Sequence, residues 1–138
     1  MAVLAGGMDK RAELEEWIEE LKASGKLVVV EGIKDERAVR GVGIERVYAL
    51  NRKALYRCVE EIAGQCKDVV LLTDLDPEGK KLYGTLSSGL QHQGVRIDNK
   101  FREELFKKTK LRQIEGLVRY ITRIGREERG ARVNTPHG

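Results

Sequence analysis

Val69-Val70-Leu71-Leu72-Thr73-Asp74-Leu75-Asp76-Pro77-Glu78-Gly79-Lys80 reads as an apolar strand that ends in two carboxylates one residue apart and then enters a helix. The run over 69–73 is too short for a helix and apolar throughout, as a strand covered on both faces of a parallel sheet is. In extended backbone, residues i and i+2 point the same way, so Asp74 and Asp76 are able to reach one ion. Pro77 suits the first turn of the following helix, where its missing N–H would be unpaired anyway. A second run of the same character, Leu27-Val28-Val29-Val30, ends in Glu31 and is followed by Gly32, Lys34 and Asp35. Three acids at two strand ends suggest a magnesium site, because magnesium prefers oxygen ligands and commonly combines one or two carboxylates with substrate phosphates. Without a cation the same three charges repel one another and raise at least one pKa.

Outward from these two strands the chain alternates between helix and strand patterns. Leu14, Trp17, Ile18 and Leu21 stripe a helix that Asp9 caps and Gly25 ends. A short helix over 35–40 precedes a strand over 47–50. A helix over 52–66 then places Leu55, Val59, Ile62 and Cys66 on one face. The helix opened by Pro77 carries Leu82, Tyr83, Leu86 and Leu90 inward, and a fourth strand is expected over 95–97. Beyond it the pattern is helical, with Leu111, Ile114, Leu117, Val118 and Ile121 forming a stripe over the sheet.

Such alternation implies an α/β fold: a mainly parallel four-stranded sheet with right-handed crossovers and helices on both faces. The expected strand order is 2-1-3-4. The switch between strands one and three is where ligands bind in such sheets, beyond the carboxyl ends, and Glu31, Asp74 and Asp76 meet there. Residues 1–8 are expected to be a flexible leader and 9–124 a single domain, with its core in 26–98 and covering helices in 99–124. A frayed tail over 125–138 is expected to follow.

With 138 residues, 41% apolar and 35% charged, the chain has the composition of a soluble globular protein with an ionic surface. The net charge of +4 is uneven, with 11 basic and 5 acidic residues from Asn99 onward. That segment reads either as a polyanion-binding face or as a solvated helix face. Cys58 and Cys66 form no CxxC pair and have no histidine spaced to complete a zinc site, so they read as reduced thiols. No signal peptide and no membrane span is evident, and a cytoplasmic location without membrane partners is expected. GxxxxGK[ST] and GxGxxG loops are absent, and His92 and His137 have no catalytic partner in view. Tyr48, Tyr56, Tyr83 and Tyr120 read as core or half-buried packing residues.

Several residues near the acids carry two readings. Asp76, before Pro77, is placed to cap its helix as well as to bind metal. Gly32 and Gly79 permit close approach of backbone to a ligand, or are ordinary turn glycines. Lys80 and Lys81 open a helix whose dipole favours anions, where they steer phosphates or are simply solvated. Lys34 and Asp35 bind phosphate and orient Glu31, unless Asp35 merely caps its own helix.

The pattern Glu31-Gly32-x-x-Asp35-x-x-Ala38-Val39, followed after a strand and helix by Asp74-x-Asp76-x-x-Gly79, resembles the Toprim domain. That module is shared by topoisomerases, bacterial primases, overcoming-lysogeny-type nucleases and the small ribonuclease that matures ribosomal RNA. The resemblance covers roughly residues 26–98 and implies a Rossmann-like Toprim fold. It also implies that Asp74 and Asp76 bind magnesium, with manganese as a substitute, and that Glu31 acts as general acid or base or as a further metal ligand. The implied function is magnesium-dependent phosphoryl transfer on nucleic acid, RNA or DNA, most like that of the ribosomal-RNA ribonuclease. Topoisomerase and primase functions are not expected, since the first needs a domain bearing a nucleophilic tyrosine and the second its zinc and basic catalytic regions. The alternative is a non-catalytic, metal-dependent module that binds nucleic acid or nucleotide, or serves a larger protein complex. Haloacid-dehalogenase phosphatases and response-regulator receivers share acids at strand ends. The former place their Asp-x-Asp pair after the first strand with threonine following, and the latter place two acids there.

Overall fold

In the computed structural model, which describes residues 10–123, the four apolar runs form β1 (Leu27–Val30), β2 (Val47–Ala49), β3 (Asp68–Leu72) and β4 (Arg96–Asp98). They pair in the order β2-β1-β3-β4, every neighbour parallel, as the sequence led us to expect. Val30 lies beside Leu72. Glu31 and the Thr73-Asp74 pair therefore leave the sheet side by side, at the carboxyl ends of its two central strands.

The connecting helices are α1 (Lys10–Ser24), α2 (Ile33–Gly41), α3 (Leu55–Ala63), α4 (Pro77–His92) and α5 (Lys100–Lys108), followed by a 3-10 turn over Ile114–Gly116. Residues 117–123 are helical. Side chains of β1 and β3 alternate between two apolar layers. Val28, Val30, Val70 and Leu72 pack with α1, α2, α5 and the 3-10 turn, while Val29, Val69 and Leu71 pack with α3 and α4. Burying a valine or leucine side chain stabilises by about 1.5–3 kcal/mol, so two strands covered on both faces anchor the acids that follow them. Trp17 ties α1 to α5, its Nε1–H donating to the Phe101 carbonyl at 2.9 Å and its ring meeting the Phe101 ring edge-on at 6.2 Å.

The departures from the sequence reading are local. The helix expected over 52–66 is Leu55–Ala63, because Asn51 and Arg52 hold φ of 48° and 62° and Ala54 has φ −57° and ψ 133°, none of which continues a helix. The fourth strand is Arg96–Asp98 rather than 95–97. The C-terminal helical pattern is broken after Lys108, where Thr109 is extended with φ −127° and ψ 173°. Ile114 and Leu117 are buried as expected, while Val118 remains exposed. Tyr56 also departs from its expected packing role and stands in solvent at 67% exposure. The expected leader, the Asp9 cap, residue 124 and the expected tail lie outside the described residues. Among the described residues no helix is long and apolar enough to cross a membrane.

Candidate functional site

Glu31 and Asp74 are joined through the main chain: Glu31 Oε2 accepts the Asp74 N–H at 2.7 Å, closing the gap between the two central strand ends. Asp74 is 8% exposed, and its Oδ1 accepts the Ile114 N–H at 2.7 Å. Asp76 caps α4, its Oδ1 accepting the Gly79 N–H at 2.7 Å. Asp35 is buried in the first turn of α2 and its Oδ2 accepts the Gly32 N–H at 3.1 Å, so it does cap its own helix. Glu31, Asp74 and Asp76 thus each set one oxygen on a backbone N–H, while Asp35 is met by the N–H groups of Gly32 and Glu115. Among the described residues, no three His, Cys, Asp or Glu side chains gather closely enough to hold an ion.

Burial and mutual repulsion set the electrostatics. Asp74 is pushed up to about 7, first by burial and then by the charges of Asp35, Glu31 and Asp76, against the Ile114 N–H that favours its ionised form. Burial also raises Glu31, with Asp35, Asp76 and Glu78 adding to the effect and the Asp74 N–H opposing it. Asp35 is raised by burial and by Glu115 and Asp76, opposed by backbone N–H groups of Gly32 and Glu115. The repulsion expected of clustered acids is present.

The turn that carries Asp74 is clamped from the C-terminal side. Arg102 donates from Nε to the Thr73 carbonyl and from Nη2 to the Asp74 carbonyl, both at 2.8 Å. Its guanidinium lies 4.7 Å from the Tyr83 ring centre and 5.5 Å from that of Phe106. Leu75 N–H donates to the Arg112 carbonyl at 2.8 Å. Gly79 completes the turn: a Cβ there would sit 2.2 Å from the Asp74 carbonyl oxygen, so α4 packs on the acid turn only with glycine at this position.

A cavity of about 530 Å³ opens at these strand ends. Glu31, Asp35, Asp74, Glu78 and Glu115 contribute acids to its lining, and Lys34, Arg52 and Lys53 contribute cations. Lys53 is engaged with Glu61 at 3.1 Å and with the Tyr48 ring. Of the residues expected from sequence, Glu31, Gly32, Lys34, Asp35 and Asp74 line the cavity, whereas Asp76, Gly79, Lys80 and Lys81 do not. Lys80 and Lys81 are exposed on α4, and Gly79 serves packing rather than open approach. A larger hollow of about 720 Å³ between α3 and α4 has Tyr56, Glu60 and His92 in its lining and none of the strand-end acids.

Comparison with known proteins accords with this geometry. The Toprim domain family model matches residues 26–102. The chain belongs to the Toprim domain family. It is 33% identical over 117 residues to a UPF0292 protein of Methanocaldococcus jannaschii, covering 80% of this chain and 91% of that one. A UPF0292 protein of Pyrococcus abyssi is 33% identical over 110 residues, covering 78% and 83%. Among solved structures, a protein from Aquifex aeolicus superposes with a TM-score of 0.69 at 34% identity, covering 74% of this chain and 95% of that one.

Toprim domains generally bind divalent metal and act in nucleic-acid processing. The chemistry of the donors suits a hard divalent cation, although no three of them stand close enough to hold one as they are: they are carboxylate oxygens, Asp74 is pushed up to about 7 by burial and then by neighbouring acids, and among the described residues the buried Thr73 hydroxyl beside it has no hydrogen-bond partner. The Toprim match stops before Arg112, Ile114 and Glu115, yet those residues complete the acid turn. Sequence reasoning missed them as site residues together with Arg102, since a main-chain N–H, a main-chain carbonyl and a guanidinium aimed at carbonyls leave no spacing signature. It also passed over Asn51-Arg52-Lys53, although a polar break right after an apolar run was the available signal for a loop.

Proposed function

We propose that this protein is a divalent-metal-dependent phosphoryl-transfer enzyme that cleaves phosphodiester bonds in RNA or DNA. The observation that carries the reading is the convergence of Glu31 and Asp74 at adjacent strand ends, their carboxyl pKa values raised, at a cavity whose lining also carries Lys34, Arg52 and Lys53. Magnesium, or manganese in its place, would be held by Glu31, Asp74 and Asp76. When bound, the ion supplies charge stabilisation at the phosphate and lowers the pKa of a coordinated water.

The chain's own groups do the rest. Glu31, raised by burial, carries or releases a proton on Oε1 while Oε2 stays on the Asp74 N–H, which fixes its orientation. Asp35 holds the Gly32 turn through its cap bond and so sets the direction in which Glu31 leaves β1. Lys34 meets strand phosphates within the cavity, and Lys80 and Lys81 meet those that pass over the exposed start of α4. Gly79 keeps the Asp74 turn in register with that helix.

The test is cleavage of end-labelled structured RNA, single strands and duplex DNA in magnesium or manganese. Turnover should vanish with chelator and in Asp74→Ala; a wild-type protein that cuts none of these substrates with either metal refutes the catalytic reading. The second reading, a non-catalytic module serving a larger complex, is favoured by the absence of a ready three-acid cluster among the described residues. It would show as tight, salt-sensitive binding with no turnover.

A further inference from the structure

We propose that the segment from Asn51 to Tyr56 is a docking platform for unpaired nucleic acid, in which Arg52, with Lys34, takes a strand phosphate while Tyr56 stacks on a base. The proposal rests on the reading that the acid cavity handles phosphodiesters, and it adds the form of the strand: single rather than double.

Three observations converge. Lys34 and Arg52 are exposed, line the acid cavity, and make no ion pair or side-chain hydrogen bond among the described residues. A cation with no protein partner beside a phosphodiester cavity is free to meet the polyanion. The loop holding Arg52 is fixed to the acid strand: Leu50 N–H donates to the Val30 carbonyl and Asn51 N–H to the Glu31 carbonyl, each at 2.9 Å. Asn51 and Arg52 adopt left-handed φ values, a conformation that costs energy in non-glycine residues. The third observation is Tyr56. At 67% exposure it is the most exposed large apolar side chain among the described residues, four positions beyond Arg52 at the start of α3. Its neighbour Leu55 lines both the acid cavity and the α3–α4 hollow, and Tyr56 itself lines the hollow, next to the acid cavity along the chain.

Cations placed beside an exposed aromatic ring are how sequence-tolerant single-strand binding is built, because every unpaired base has a face to stack and a duplex hides it. Among the described residues Tyr56 belongs to neither apolar core, and its ring is left to solvent.

The experiment uses the full chain in chelator, so that binding is read apart from cleavage. Fluorescence anisotropy of labelled oligo(dT), oligo(U) and a duplex of equal length is followed across a salt series. Single strands should bind at least about tenfold tighter than duplex, the two homopolymers showing whether the sugar matters. Tyr56→Ala should weaken single-strand binding by about tenfold and Tyr56→Phe should restore it, as one stacked base requires. Arg52→Gln should lower the log–log salt slope by about 1. Equal affinity of Tyr56→Ala and wild type, or duplex binding as tight as single-strand binding, overturns the proposal. A protein that binds single strands through Tyr56 yet cuts nothing when metal is restored supports the platform and removes the catalytic reading.

Discussion

Asp74→Asn should stabilise the metal-free protein at pH 8. Asp74 is 8% exposed and its carboxyl is pushed up to about 7, from an ordinary value of 3.8. A folded-state pKa raised above the unfolded one means that the folded chain holds its proton more tightly. The resulting stability is complete below pH 3.8, declines as pH rises between 3.8 and about 7, and is gone above that. At about 1.4 kcal/mol for each tenfold change in proton affinity, the whole decline is about 4 kcal/mol. Asparagine stays neutral, matches the carboxyl in shape, and keeps an oxygen for the Ile114 N–H. In chelator at pH 8 the variant should therefore unfold about 10 °C higher than wild type, at roughly 3 °C per kcal/mol for a chain of this length. Near pH 4 the two should coincide. Magnesium should reverse the order at pH 8, raising the wild-type transition while leaving the variant in place. The assay is differential scanning calorimetry across pH 4 to 8 with and without magnesium. A variant less stable than wild type at pH 8 in chelator, or a difference that does not change with pH, refutes the reasoning.

Gly79→Ala should cost about 2–4 kcal/mol in urea unfolding, because its Cβ would sit 2.2 Å from the Asp74 carbonyl oxygen and no side-chain rotation relieves a clash with backbone. Gly32→Ala should change stability by less than about 1 kcal/mol in the same assay: nothing lies within 4 Å of its Cβ position and its backbone is extended. Arg102→Ala should lose about 2–4 kcal/mol with its two carbonyl hydrogen bonds and its ring contacts, and Arg102→Lys should recover only part of that by thermal unfolding, since a lysine ammonium cannot fork between two carbonyls.

The sheet was legible because β1 and β3 are covered on both faces, which leaves unbroken apolar runs that no helix of ordinary length produces. Strand order followed from the acids: Glu31 and Asp74 share a function only if their strands are neighbours, and they are. Boundaries were less legible where single backbone conformations decide them. The left-handed Asn51 and Arg52 and the extended Thr109 each stop a helical pattern that hydropathy alone would continue. Tyr56 was open to reading, since it falls beside Leu55 and off the Leu55, Val59, Ile62 stripe. The clamp on Asp74 was not. Its donors lie 28 and 40 residues away, one of them a main-chain N–H and the other a guanidinium aimed at carbonyls, and neither has a spacing signature.

That clamp explains why the acids keep raised pKa values although a guanidinium lies close by. Arg102 is near enough to influence Glu31 and Asp74, and a guanidinium set directly against a carboxylate lowers its pKa by one to three units. Here the cation is turned onto the Thr73 and Asp74 carbonyls instead, and Asp74 stays near 7. The fold fixes the turn with Arg102, Gly79 and the Leu75–Arg112 bond, and orients the carboxylates with neutral N–H donors. Position is thus secured without neutralising charge. A site shaped for charge pairing alone would have set the half-buried Arg102 against Asp74. Holding them apart leaves a deficit of positive charge at the strand ends, which accords with the divalent-metal binding general among Toprim domains.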